Sequence, residues 1–145
     1  MGNSGPYLKA ALICDEVIEG KDGVLSLIRV VDRLTVTAAG PAVPGAMPTV
    51  PHRLKLVIMV VSGEARGTHA ITVTIETPDG IVHPGWESTI LLEGEDRGAN
   101  VVVELDYEFK LEGVHWFGLS LDGEQITRVP FRVLYQRVGP GTPQR

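Results

Sequence analysis

A single cysteine, Cys14, occurs in 145 residues, which excludes an intrachain disulfide and any multi-cysteine zinc site and fits a reducing compartment. Basic residues are few: 13 Lys and Arg stand against 18 Asp and Glu, a formal charge of -5. Nucleic-acid phosphates are held by clustered cations, so no nucleic-acid partner is expected. Long apolar runs are missing too. A bilayer span takes about 20 apolar residues, which no stretch approaches, and the opening MGNSGPYLKA lacks the apolar segment of a secretory signal. The myristoylation pattern suggested by Gly2 takes Ser or Thr where this chain has Pro6. These absences point to a cytoplasmic protein without membrane attachment. Catalytic motifs are also absent: GEDRG, residues 94–98, lacks the Lys and Ser or Thr of a phosphate loop, and neither a nucleophile elbow nor an HExxH zinc motif occurs.

What is present is period-two alternation. Hydrophobic residues at 43% and charged residues at 21% are the proportions of a globular chain of one ordinary domain. In VVVELDYEFKL, residues 101–111, Val101, Val103, Leu105, Tyr107, Phe109 and Leu111 share one face and Val102, Glu104, Asp106, Glu108 and Lys110 the other, which predicts a half-buried strand. Ile71, Val73 and Ile75 alternate with threonines in the same way. LKLVIMVV, residues 54–61, is apolar on both faces apart from Lys55 and reads as a central strand. The nearest helical alternative is a turn or two in WESTILLEGEDRG, residues 86–98. Asp122 and Gly123 form a hairpin turn joining GVHWFGLSL to EQITRVPFRVLY. In the second arm Pro130 predicts an edge or a bulge, because it cannot donate to a ladder. AAGPAVPGAMP, residues 38–48, reads as an ordered crossing loop. The expected fold is all-β: a single antiparallel β-sandwich, Ig-like or C2-like, of about six to eight strands with at most a short helical turn. It should occupy residues 1–137 with a flexible start at 1–6, leaving a mobile tail at 138–145.

Within ALICDEVIEGKDGVLSLIRVVDRLTV, residues 11–36, the reading is a strand over 8–14, a corner at EVIEGKDG and a long strand from Val24 to about Thr37. This stretch, with Cys14 and Asp15 followed by Leu25, Leu27, Asp32 and Arg33, together with GVHWFGLSLDGEQITRVPFRV, resembles an uncharacterised family of small bacterial proteins, a domain of unknown function. The resemblance covers most of the chain. It implies a single β-sandwich domain and a bacterial origin, and it implies no activity for any residue.

Candidate chemistries divide by residue type. Cys14 ends an apolar strand and reads as a packed thiol rather than a nucleophile, since no histidine precedes His52. Asp15, Glu16, Glu19 and Asp22 could supply oxygen ligands, but they match no calcium-loop spacing and read as a solvated turn. Asp32 and Arg33 read as structural, with the Asp accepting backbone bonds or pairing with an Arg, as buried charges must. The four histidines His52, His69, His83 and His115 lack zinc spacing, with His83 and His115 the first to inspect. Trp86, in a loop, and Trp116, on the less buried face of its strand, are the aromatic platform candidates for a small ligand or sugar. Tyr107 is core.

Acids concentrate between Glu87 and Glu112, while the chain after Glu124 carries only arginines. Either the arginine-bearing strand lies near the acidic face and neutralises it, or an acidic surface is presented to a basic partner; Arg128, Arg132, Glu104 and Glu108 are the candidate interaction surface. The expected function is a non-catalytic protein-interaction or assembly module with an unknown protein partner, including self-association through an edge strand. A small-ligand or carbohydrate-binding domain using Trp86 and Trp116 is the alternative, and a metal-dependent enzyme the least favoured. No cofactor and no metal site is expected.

Overall fold

The alternation becomes nine strands and no helix among the residues described by the structure, a computed structural model covering 5–41 and 43–138. These are β1 (Tyr7–Glu19), β2 (Leu25–Val30), β3 (Arg33–Ala39), β4 (Val50–Val61), β5 (Arg66–Glu76), β6 (Val82–Glu93), β7 (Gly98–Phe109), β8 (Gly113–Leu121) and β9 (Glu124–Val138). They form a four-stranded sheet in the order β2-β1-β4-β7 and a five-stranded sheet in the order β3-β9-β8-β5-β6. The second sheet curls as a half-barrel. One core lies between them: Leu54, Leu56 and Ile58 of β4 and Val103 of β7 cluster with Ile71 and Val73 of β5, Phe117 and Leu119 of β8 and Phe131 of β9. Each large apolar side chain buried there contributes roughly 1.5–3 kcal/mol.

Two differences account for nine strands where six to eight are expected. The long strand from Val24 to Thr37 is two strands in different sheets. Val31 N–H donates to Ile13 O at 2.9 Å, the last tie to β1, and Arg132 N–H donates to Asp32 O at 2.9 Å, the first tie to β9. The chain therefore changes sheets between Val31 and Asp32, after which β3 runs parallel to β9. The second difference is β6, which occupies the stretch given a helical alternative and places Trp86 in a strand rather than a loop. Pro84 and Gly85 look like loop residues, but an edge strand tolerates Pro, and the register shift at Val73/Thr74 absorbs the extra residue.

The corner in the opening stretch is also shorter than EVIEGKDG. β1 continues through Glu19, and the turn is closed by Gly20 N–H to Val24 O at 2.9 Å, with Asp22 Oδ1 accepting Val24 N–H at 3.1 Å. The β8–β9 hairpin turns where expected, with Asp122 at φ 50° and Gly123 at φ 84°, the two positive values of a type I′ turn. Pro130 pairs with Trp116 of β8, whereas β3 reaches β9 only from Arg132 onward, so β9 is an edge at the proline and internal beyond it. Apart from Ala42, the loop between β3 and β4 is tied down: Met47 is buried in the core, Tyr135 Oη donates to Pro44 O at 2.8 Å, and Arg137 donates to Gly45 O. Residues 1–4 of the expected flexible start and 139–145 of the expected tail lie outside the described residues, while Val138 is still strand.

Candidate functional site

An antiparallel sheet with one face in the core commonly turns a polar face to water. The four-stranded sheet does so over only half its outer surface. Along β4, Arg53 and Lys55 stand opposite Asp106 and Glu104 of β7. Lys55 Nζ lies 2.6 Å from Glu104, and Arg53 Nε lies 2.8 Å from Asp106 and 3.3 Å from Glu104. The Lys55 hydrogen bond raises the ammonium pKa and lowers that of Glu104, and the Asp106 hydrogen bond raises that of Arg53.

The other half is apolar. Leu12 pairs with Val57 and Val57 with Val102; Ala10 pairs with Met59; Cys14 pairs with Val30, and Ile28 is two residues along. Val30 is 57% exposed and Ile28 41%, whereas Cys14 and Val57, on the same solvent-side face, are 0% and 1%. The side chains pack laterally into a layer dense enough to cover their own centre. Burial raises the Cys14 thiol pKa, so it is held as the unreactive thiol, with Sγ 3.4 Å from Glu16 O.

The charges proposed from sequence separate. Arg128 and Arg132 project from the outer face of the five-stranded sheet, opposite in parity to the buried Phe131 and Val133, while Glu104 and Glu108 belong to the other sheet. The arginines of β9 therefore do not neutralise the acids of β7; the neighbouring strand β4 does, through Arg53 and Lys55. The Arg128 guanidinium lies over the Trp116 ring, 4.1 Å from its centroid, which occupies a face that a sugar would need. Arg33 and Asp32 do pair, at 3.2 Å, but both side chains are largely exposed, so theirs is a surface contact and not a buried charge pair.

Asp15, Glu16 and Glu19 lie on a strand, so Asp15 and Glu16 point to opposite faces and cannot converge on one cation. Asp15 instead meets Arg29 Nε at 2.6 Å. His69 Nδ1 lies 2.6 Å from Asp122 Oδ2 and its Nε2 lies 3.1 Å from Arg66 O, while Ala70 N–H donates to Asp122 Oδ1 at 2.9 Å. This carboxylate–histidine pair ties the hairpin to β5, and both ring nitrogens are engaged. The Asp122 hydrogen bond raises the His69 pKa, and the His69 contact lowers that of Asp122.

Three of the four histidines gather at one end of the molecule. His52 is the cross-strand partner of Tyr107, whose ring is 6.4 Å from that of His115. His115 and His83 line a cavity of about 260 Å³ with Thr77, Asp79, Lys110 and Leu111. The Thr77 hydroxyl donates to Asp79 and lies 3.3 Å from His83 Nε2; it and the Ile81 N–H lower the Asp79 pKa. His115 is fully buried, its ring edge-on to Phe109 at 5.0 Å, and neither ring nitrogen has a hydrogen-bond partner. Both nitrogens are inaccessible to solvent, so His115 is a core residue that forms part of the cavity wall. Among the described residues no three His, Cys, Asp or Glu side chains are arranged to hold a metal ion.

Trp86 pairs with Val73 on the five-stranded sheet and packs partly against the core. Beside it a cavity of about 320 Å³ is lined by Thr72, Thr74, Pro84, Gly85 and Glu87. It exists because of the β5–β6 bulge, where Gly85 approaches the neighbouring backbone so closely that a Cβ would sit 2.8 Å from Val73 O. Among the described residues, no helix is long and apolar enough to cross a membrane.

Comparisons with known proteins follow the fold. The β-glucosidase of Listeria innocua, solved in complex with glucose, superposes with a TM-score of 0.54 at 10% identity, over 94% of this chain and 17% of that one. The same enzyme without that sugar gives 0.52 at 10% identity, over 95% and 17%. This chain thus spans less than a fifth of those enzymes, and at such identity the likeness is one of fold. An immunoglobulin-like protein from Pseudomonas aeruginosa aligns over 89% of this chain and 96% of its own, with a TM-score of 0.41 and 14% identity. No curated protein matches the sequence. The model of the family of unknown function DUF6941 matches residues 9–134, and the chain belongs to that family.

Proposed function

We propose that this β-sandwich, of the immunoglobulin-like or C2-like kind expected from its sequence, is a non-catalytic protein-interaction module. Its docking surface is the apolar half of the outer face of the four-stranded sheet. The observation that carries the reading is the apolar layer of exposed Ile28, Val30 and Val102 and half-buried Leu12 and Met59, on a sheet whose other face already fills the core. Contiguous apolar surface rimmed by charge suits a protein partner with a complementary apolar patch. The buried thiol of Cys14 is consistent with cytoplasmic work.

The test is site-specific photo-crosslinking in cells, with the probe at Ile28 or Met59 and a control probe at Leu134, which is 38% exposed on the other sheet. Discrete protein adducts from the first two positions and none from the third are expected. No adducts, or equal adducts at all three, would overturn the reading.

The cavity beside Trp86 supports a second reading, a small-ligand or sugar site at the β5–β6 bulge. A thermal-shift series with monosaccharides tests it: a rise in Tm that disappears in Thr74→Val supports a site there, and no rise with any sugar removes it.

A further inference from the structure

We infer that the module also assembles with a second copy of itself by antiparallel pairing of β7 against β7, about a two-fold axis at Val103. This deepens the interaction reading by naming another surface and its occupant. The sheets have four outermost strands, three of them guarded against pairing, and the open stretch of β9 carries Pro130. β2 is six residues long and holds Arg29 at φ 57°; β3 is seven residues long; β6 carries Pro84 and the bulge. β7 is twelve residues long, has no proline, and pairs with β4 residue for residue from Gly98 to Phe109 without a shift. Its backbone bonds to β4 on one side, and its other edge has no strand partner among the described residues.

Charge selects the occupant and the register. With Val103 on the axis, Glu104 faces Val102 of the second copy, Asp106 faces Asn100 and Glu108 faces Gly98, so no acid opposes an acid along the strand. On the inner face Val101 meets Leu105 and Ala99 meets Tyr107, apolar against apolar. The same register brings Asp96, in the turn before β7, to Lys110 just after it, two charges without an ion pair among the described residues. An axis at Glu104 would stack that acid on itself, and an axis at Val102 would set Asp96 against Glu108. Asp106 and Glu104, the acids nearest the axis, are already held by Arg53 and Lys55, which limits repulsion between copies.

The experiment is sedimentation velocity of the full chain over a concentration series, with circular dichroism to confirm each variant's fold. The wild type should form a reversible dimer. Asn100→Glu combined with Val102→Glu sets acids against Asp106 and Glu104 of the second copy and should weaken the dimer about tenfold or more. Lys110→Glu should weaken it too, and adding Asp96→Lys should restore it, because the opposed pair is regained with its signs exchanged. A wild type monomeric at every concentration, a dimer indifferent to the β7 acids, or a charge exchange that does not restore would each overturn the inference. Crosslinks from Ile28 and Met59 report a different face, so failure of the β7 dimer and failure of the docking face are separately visible.

Discussion

His115→Phe should make the protein more stable, and more so in acid. The imidazole is fully buried, stacked edge-on to Phe109, and both its nitrogens lack partners. An unsatisfied buried polar group costs about 1–3 kcal/mol, and a ring of similar shape without nitrogens removes that cost. The extra ring atom offsets part of the gain, leaving a net stabilisation of about 1 kcal/mol near pH 7.5, roughly a 3 °C rise in Tm for a domain this size. Burial lowers the His115 pKa; the Gly113 backbone, which approaches the ring without hydrogen-bonding geometry, and the Asp79 charge act in the opposite direction. As pH falls below the ordinary histidine value of about 6.5, the unfolded chain takes up a proton that the folded chain refuses. Wild-type stability is therefore lost in that window by up to about 1.4 kcal/mol per pH unit, and the variant escapes this loss. His69 works the other way: its raised pKa gives stability that is complete below the ordinary histidine range and lost as pH rises through the raised value. That contribution is common to both proteins and cancels in their difference. Urea denaturation of both at pH 7.5 and 5.5 measures the effect. A variant less stable at pH 7.5, with a gap that does not widen at pH 5.5, would refute the reasoning and show that the nitrogens are satisfied.

Gly85→Ala should destabilise by about 1–3 kcal/mol, since the new methyl meets a backbone oxygen that cannot rotate away; urea midpoints report it. Phe131→Ala should cost about 3–5 kcal/mol by opening a cavity between Phe109 and Phe117, again read from denaturation, with an unchanged m-value expected. Asp122→Ala should lower Tm more than Asp122→Asn, because the amide keeps an oxygen for Ala70 N–H and tolerates the positive φ. Either change should shift the His69 titration followed by NMR down toward the ordinary histidine value, as the group that raises it is lost.

Where side-chain chemistry is local, the sequence is readable. The type I′ turn at Asp122–Gly123 follows from two residues, and the alternation of Val101 through Phe109 follows from pleating. The passage from β2 to β3 does not, because Leu25 to Ala39 is a continuous β-prone run and the sheet change lies in which distant carbonyl each amide finds: Ile13 for Val31, Asp32 for Arg132. The same limit hid β6, whose Pro84 and Gly85 carry loop propensities that an edge position and a bulge override.

The charge distribution illustrates the limit most sharply for the candidate site. Acids near residue 105 and arginines near residue 130 look complementary along the chain, yet the two strands belong to different sheets, and the acids of β7 find their cations on β4, some fifty positions earlier in sequence. The apolar half of the outer face has a visible signal in the two-sided hydrophobicity of LKLVIMVV. Such a run predicts a strand covered on both sides, the expectation for a central strand in a closed core. β4 is central, but its sheet has only one protein layer against it. A strand whose composition asks for two apolar partners, in a fold that supplies one, covers Val57 with its lateral neighbours and leaves Ile28, Val30 and Val102 of the flanking strands exposed, where the proposed partner would dock. That mismatch between composition and architecture, more than any single residue, carries the interaction reading.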